Sequence, residues 1–135
     1  MKVVVDTSVW SLALRRSNPD PQSRVVAELE RLIREYQVAM LGPVRQELLS
    51  GVRDPAQFDR LRVKLGAFPD MALVAEDFET AAQFFNTCRA VGIQGSNTDF
   101  LICAAAFRRN LSIFTLDQDF SRFREHVGIV LHEAA

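Results

Sequence analysis

Cysteine, histidine and lysine are scarce in this chain: of its 135 residues two are cysteine, two are histidine, and Lys2 and Lys64 are the only lysines. Cys88 and Cys103 stand alone without a CxxC pair, so they are expected as buried small apolar residues and no disulfide is expected. His126 and His132 lie far from both in sequence, which leaves no ligand set with the spacing of a structural zinc site. Long hydrophobic runs are missing too. The apolar run Phe100 to Phe107 falls far short of the ~20 residues a membrane helix needs. The opening residues, one lysine and three valines before Asp6, are too short for a secretory signal, so a cytoplasmic location is expected. Nor is there a surplus of one charge: 16 basic residues face 17 acidic ones, for a formal net charge of −1. That balance excludes a general nucleic-acid coat, and any polyanion must be held locally.

What is present suits a folded α/β unit. Apolar residues make up 48% and charged residues 24%, an ordinary globular composition, and the length predicts a single domain over residues 1–135. No repeat or low-complexity segment interrupts it. Lys2 to Asp6 is a β-branched run of strand length, and Thr7 to Arg16 follows with Val9, Leu12 and Ala13 at helical spacing. Ser17-Asn18-Pro19-Asp20-Pro21 reads as an inter-helix loop, and Gln22 to Tyr36 carries Val25, Val26, Leu29, Leu32 and Ile33 on one stripe. Val38 to Leu41 is a short strand. Gly42-Pro43 opens a helix that Gly51 ends, and Asp54-Pro55 starts another reaching about Leu65. Met71 to Val74 reads as a brief extended segment before a long helix to Ala90. Gly92 to Asn97 is a loop, Thr98 to Arg109 a strongly apolar helix, Leu111 to Thr115 a strand, Gln118 to Phe123 a short helix, and Gly128 to Leu131 the last strand. Strands separated by helices imply crossovers, hence a three-layer α/β sandwich with a central, mostly parallel sheet.

Ligands of such sheets bind outside the carboxyl ends of the strands. Asp6 closes Val3-Val4-Val5 and Asp117 follows Ile113-Phe114-Thr115-Leu116, so both would open on one edge. Each could instead be a helix N-cap, as could Asp99. Glu47 lies beyond the first turn of its helix, where its ordinary reading is a solvated or arginine-paired face. Asp99 heads a helix so apolar that it is expected to be buried, bringing this carboxylate close to the sheet. No lysine or histidine lies in these four segments. If the carboxylates converge, their repulsion calls for arginine, protonation or a divalent cation, and hard oxygen ligands select Mg²⁺ or Mn²⁺.

Val-Val-Asp6-Thr7-Ser8-Val-Trp, Val-Arg-Gln-Glu47-Leu-Leu-Ser-Gly51, Asn-Thr-Asp99-Phe-Leu-Ile-Cys and Phe-Thr115-Leu-Asp117-Gln-Asp119-Phe120 occur in that order across nearly the whole chain. Together they resemble a PIN-domain ribonuclease, specifically a VapC-type toxin of a toxin–antitoxin system. The resemblance implies a PIN-like sandwich and a metal-dependent endoribonuclease whose acidic quartet falls on Asp6, Glu47, Asp99 and Asp117. Thr7, Ser8 and Thr115 would support it through hydroxyl contacts, and Asp119 would be an auxiliary acid or part of a turn. Asp6 and Asp99 are expected as direct ligands of Mg²⁺ or Mn²⁺, with Glu47 and Asp117 as further ligands, holders or proton acceptor. The resemblance also implies a VapB-type antitoxin, a homodimer, and structured RNA such as tRNA or ribosomal RNA as substrate.

A metal-free ribonuclease that uses the 2′-hydroxyl wants an acid/base pair near neutrality, which histidine would provide and these motifs lack. Products with a 5′-phosphate are therefore expected. The basic residues are nearly all arginine, suited to bidentate phosphate contacts, and Arg15, Arg16, Arg45, Arg53, Arg89, Arg108 and Arg109 are candidates for RNA by proximity to the motifs. The helices at Gln22 to Tyr36 and Asp54 to Leu65 would offer an apolar groove to a partner helix, or simply pack on the sheet. Two rival functions stay open: a non-catalytic PIN-fold module that binds RNA or a partner, and an aspartyl phosphotransfer domain. A dehalogenase-like phosphatase would want a second acid at Ser8, and a receiver domain a lysine partner.

Overall fold

A computed structural model of the protein describes residues 2–15 and 23–134, excepting the side chain of Ser23. The proline loop and the candidate Arg16 lie outside the described residues. Four strands and seven helices alternate among those described: β1 (Val3–Val5), α1 (Thr7–Leu14), α2 (Ser23–Arg34), β2 (Val38–Ala39), α3 (Gly42–Leu49), α4 (Pro55–Leu65), α5 (Ala75–Ala90), α6 (Asn97–Arg108), β3 (Ser112–Phe114), α7 (Asp119–Arg124) and β4 (Val130–Leu131). The sheet order is β2-β1-β3-β4, and every pairing is parallel.

Successive strand residues face opposite sides of a sheet, and Val3, Val4 and Val5 are all buried. Both faces of β1 must therefore be covered, which makes the three-layer sandwich that the alternating pattern predicts. α6 shows the same logic in a helix: all seven residues from Phe100 to Ala106 are buried, because this helix lies against β3 on one side and α5 on the other. Phe100 anchors the layer, with its ring 4.7 Å from Phe123 and 5.5 Å from Phe85. Truncating such a buried ring to alanine costs about 3–5 kcal/mol. Gly95 is required beside it, since a Cβ there would stand 2.6 Å from the Phe123 ring and 2.9 Å from that of Phe100.

Helix ends follow the sequence signals. Gly51 takes the left-handed backbone after α3 at φ +87°, and the Asp54 carboxylate accepts from the Gln57 N–H at 3.0 Å to start α4. The extended segment expected over Met71 to Val74 is different, for it forms no strand. One parallel bridge, Met40 with Asp70, adds it to the sheet edge. Side chains take two of its backbone groups: the Ala72 carbonyl accepts from Arg109 at 3.0 Å and the Val74 N–H donates to Asp77 at 2.8 Å.

The order of strands places the site. From β1 the chain crosses to β2 on one flank, whereas β3 is followed by β4 on the other. The connections diverge between β1 and β3, and the carboxyl ends there leave a crevice. Pairing of Val5 with Phe114 sets those two ends level, and Asp6 continues the ladder by donating its N–H to the Phe114 carbonyl at 2.9 Å.

Candidate functional site

Asp6 sits at that crevice and is only 5% exposed. Although it occupies the N-cap position of α1, its side chain makes no capping bond. Its Oδ2 instead accepts from the Ser8 and Thr115 hydroxyls, each at 2.8 Å. The same two hydroxyls fix the chain beyond β3: the Leu116 N–H donates to Ser8 Oγ and the Asp117 N–H to Thr115 Oγ1, both at 3.0 Å. Ser8 and Thr115 thus pin the ends of β1 and β3 to each other through one buried carboxylate. A buried carboxylate oxygen with two donors is satisfied, while Oδ1 of Asp6 has no hydrogen-bond partner among the described residues.

Asp117 turns toward the start of α7, its Oδ1 accepting from the Asp119 N–H at 2.9 Å. Asp119 itself faces Arg122, 3.8 Å away in the next turn, so its present contacts belong to the turn and the helix. Asp99 opens α6 as the third residue of a capping box. Its Oδ2 accepts from the Ser96 N–H at 3.1 Å, and the Ser96 hydroxyl accepts from the Asp99 N–H at 3.0 Å. Ser96 is therefore a holder of the site that the acid motifs do not bring out, and the Ser-x-x-acid spacing before an apolar run is its signal. Glu47 projects from α3 and is exposed. Its Oε1 accepts from the Thr7 hydroxyl at 2.7 Å, which ties α3 to the first turn of α1.

Electrostatics bring three of the four acids together. Burial pushes the Asp99 carboxyl above its ordinary 3.8, the Ser96 bonds pull it back, and the charges of Asp6 and Asp117 push it up again. Among the described residues no arginine, lysine or histidine nitrogen lies within 4.0 Å of the carboxylates of Asp6, Glu47, Asp99 or Asp117. No group of three or more acidic, histidine or cysteine side chains stands ready-made as a metal cage among the described residues. The donor chemistry is nevertheless that of a hydrated hard cation, with oxygen donors only, mutual repulsion and one Asp6 oxygen left without a hydrogen-bond partner among the described residues.

The candidate arginines divide. Arg45 donates to Asp70 and to the carbonyls of Leu65 and Phe68, holding the end of α4. Arg108 and Arg109 both reach the fully buried Asp77, each with Nη1 at 2.7 Å from Oδ1. Arg89 is exposed, bonded to Asn86 at 3.3 Å and set over the Phe85 ring. Arg15 and Arg53 are exposed as well. Of the histidines, His132 lies 2.5 Å from Glu28.

Comparisons with known proteins agree with this architecture. The chain is similar in fold to VapBC2 from Rickettsia felis bound to a DNA fragment from its promoter, with TM-score 0.78, 19% identity and coverage of 98% of each chain. FitAcB from Neisseria gonorrhoeae gives TM-score 0.76 at 23% identity over 98% of this chain and 97% of that one. VapBC-1 from nontypeable Haemophilus influenzae gives 0.75 at 16% identity, again over 98% of each. At these identities the likeness concerns the fold, and no curated protein matches the chain. The profile described as PIN domain, however, matches residues 3–126, and with that span covered the chain belongs to the PIN domain family.

Proposed function

We propose that this chain is a metal-dependent endoribonuclease, a single PIN-like domain over residues 1–135 that serves as the toxin of a toxin–antitoxin pair in the cytoplasm. One observation carries the reading: Asp99 is pushed up by burial and by the charges of Asp6 and Asp117, and among the described residues no arginine, lysine or histidine nitrogen lies within 4.0 Å of any of the three. Carboxylates left this way are poised to take an external one. Asp6 and Asp99 would hold Mg²⁺ or Mn²⁺, with Glu47 and Asp117 as further ligands or holders. Bound there, the ion supplies Lewis acidity and offsets charge on the phosphoryl oxygens.

The chain's own residues do the rest. Ser8 and Thr115 fix Asp6 by two hydroxyl bonds, so this carboxylate points the same way before and after substrate arrives. Ser96 holds one oxygen of Asp99. Glu47, exposed and on its own helix, or Asp117 would accept a proton from an attacking water if not itself a ligand. His132 shares a pocket with Asp117 but is engaged by Glu28 at 2.5 Å, which leaves no free histidine pair for a 2′-hydroxyl route, so the products should end in a 5′-phosphate. The exposed Arg15, Arg53 and Arg89 remain the candidates to track RNA, and structured RNA such as tRNA or ribosomal RNA is the expected substrate. A VapB-type antitoxin and a second copy of the chain are the expected partners, the former in keeping with similar folds described as a toxin–antitoxin complex and as a member of a toxin–antitoxin family.

The test is cleavage of total RNA by the purified chain in Mg²⁺, Mn²⁺ or EDTA, beside Asp99→Asn prepared identically. Cleavage lost with both EDTA and the substitution supports the reading. Cleavage that survives both, or products ending in a 2′,3′-cyclic phosphate, overturns it.

A further inference from the structure

Beyond the acids, the same sheet edge continues into an open groove of about 460 Å³ over the carboxyl ends of β3 and β4. Asp117, Gln118, Ser121, Arg124, His132 and Glu133 are among the residues that line it. The groove is continuous with the acid cluster, because Thr115 borders it and also donates to Asp6. Its arginine differs from others in the chain. Arg31, Arg45, Arg108 and Arg109 are each held by a carboxylate at 2.9 Å or less, and Arg122 stands 3.8 Å from Asp119. Arg124 is exposed and has no hydrogen bond or ion pair among the described residues. Its place in the last turn of α7 favours a cation, but that alone leaves the guanidinium fork unfilled.

We infer that this groove carries the single-stranded RNA flanking the bond to be cut, with the Arg124 guanidinium on a backbone phosphate. The inference rests on the ribonuclease reading and deepens it. Gln118 and Ser121 supply neutral hydrogen bonds along the same wall. Leu116, 38% exposed at the junction with the acids, offers an apolar surface to a base. Asp117 and Glu133 bracket the arginine with negative charge, so a phosphate is tolerated only where Arg124 meets it. The strand is thereby registered instead of being attracted at large.

The test is fluorescence anisotropy of a labelled twelve-nucleotide uridine RNA, titrated against salt in Mg²⁺. All variants are made in an Asp99→Asn background so that binding outlasts cleavage. Arg124→Ala should weaken binding several-fold and reduce the slope of log affinity against log salt by about 0.7, the value for one phosphate of a single strand. Arg124→Lys should keep that slope while losing part of the affinity, because the charge stays and the bidentate fork goes. Arg34→Ala is the control: it removes the same charge from an exposed site at the end of α2, where the chain enters β2 from the opposite edge. Equal losses for Arg34→Ala and Arg124→Ala, or an unchanged slope for Arg124→Ala, overturn the groove and leave the ribonuclease reading standing. If the chain with Arg124 intact holds none of this RNA, the groove is overturned, while the ribonuclease reading is decided by the cleavage assay.

Discussion

Asp77 and Asp99 are both aspartates in the first turn of a helix, and the fold treats them in opposite ways. Asp77 is fully buried and surrounded by donors: Arg108 and Arg109 on Oδ1 at 2.7 Å, Arg109 again on Oδ2 at 2.9 Å, and the Val74 N–H at 2.8 Å. Its carboxyl is held well below the ordinary carboxylate range, Arg109 being the largest cause. Asp99 meets no such cation among the described residues and is raised by burial and by two like charges. Glu28 sides with Asp77, brought down to about 2 by Arg31 with help from His132. A carboxylate that the fold neutralises itself is holding elements together. One that it leaves repelled is available to something from outside.

The contrast breaks most visibly at Asp77. Asp77→Ala leaves two guanidiniums without their anion between α5 and α6, and removing one partner of a buried pair costs about 3–5 kcal/mol. Urea denaturation should show that loss, and a wild-type midpoint would mean that the arginines find other partners at no cost. Asp99→Asn should do the reverse. Cleavage should fall by about 100-fold or more, equivalent to roughly 2.7 kcal/mol of transition-state stabilisation, while stability stays level or rises. The amide keeps the oxygen that accepts from Ser96 and removes the charge that Asp6 and Asp117 repel. A variant as unstable as Asp77→Ala would erase the distinction between the two aspartates.

Acid should sharpen it. Asp77 and Glu28 are lowered, so their contribution is complete above the unfolded values of 3.8 and 4.5 and is lost as pH falls; for Glu28 the window runs from 4.5 to about 2. Asp99 is raised, so the native state binds its proton more tightly, and its charge destabilises the fold as pH rises past 3.8. Denaturant midpoints across the acid range should therefore show wild type weakening below about pH 4.5. Asp99→Asn should coincide with wild type below 3.8 and lie above it at higher pH. A gap of the opposite sign would contradict the repulsion that the proposed function rests on.

How much of this is legible in the sequence depends on the distance between partners. β-branched runs place the strands, and unbroken apolarity from Phe100 to Ala106 marks α6 as the buried helix, because these signals are local. Acids that follow strands can be located for the same reason. Asp77 is inconspicuous within a long helix, since its partners Arg108 and Arg109 lie 31 and 32 residues away. Those arginines look free to meet RNA only because their anion is out of view. Arg45 misleads likewise, its carboxylate being 25 residues on. Met71 to Val74 is extended by composition, but it forms no strand: the Met71 N–H goes to the Met40 carbonyl, the Ala72 carbonyl to Arg109 37 residues on, and the Val74 N–H to nearby Asp77. Asp6 resembles an N-cap until Thr115, 109 residues later, proves to hold its oxygen.

The smallest effect probes the one acid that belongs to neither class. Glu47 is exposed, unpaired with any cation among the described residues, and held by the Thr7 hydroxyl alone. Water can replace an exposed hydrogen bond, so Thr7→Val should change stability by no more than about 0.5 kcal/mol. If Glu47 positions a water or a cation, however, loosening it should lower cleavage several-fold. Thr7→Ser, which keeps the hydroxyl, should restore it. The decisive comparison is with Glu47→Gln and the double variant in the cleavage assay. If Thr7 acts only through Glu47, the double variant cleaves no more slowly than Glu47→Gln alone. Losses that multiply instead would give Thr7 a contact with substrate separate from its bond to Glu47, whereas full cleavage by Glu47→Gln alone would return Glu47 to an ordinary solvated helix face.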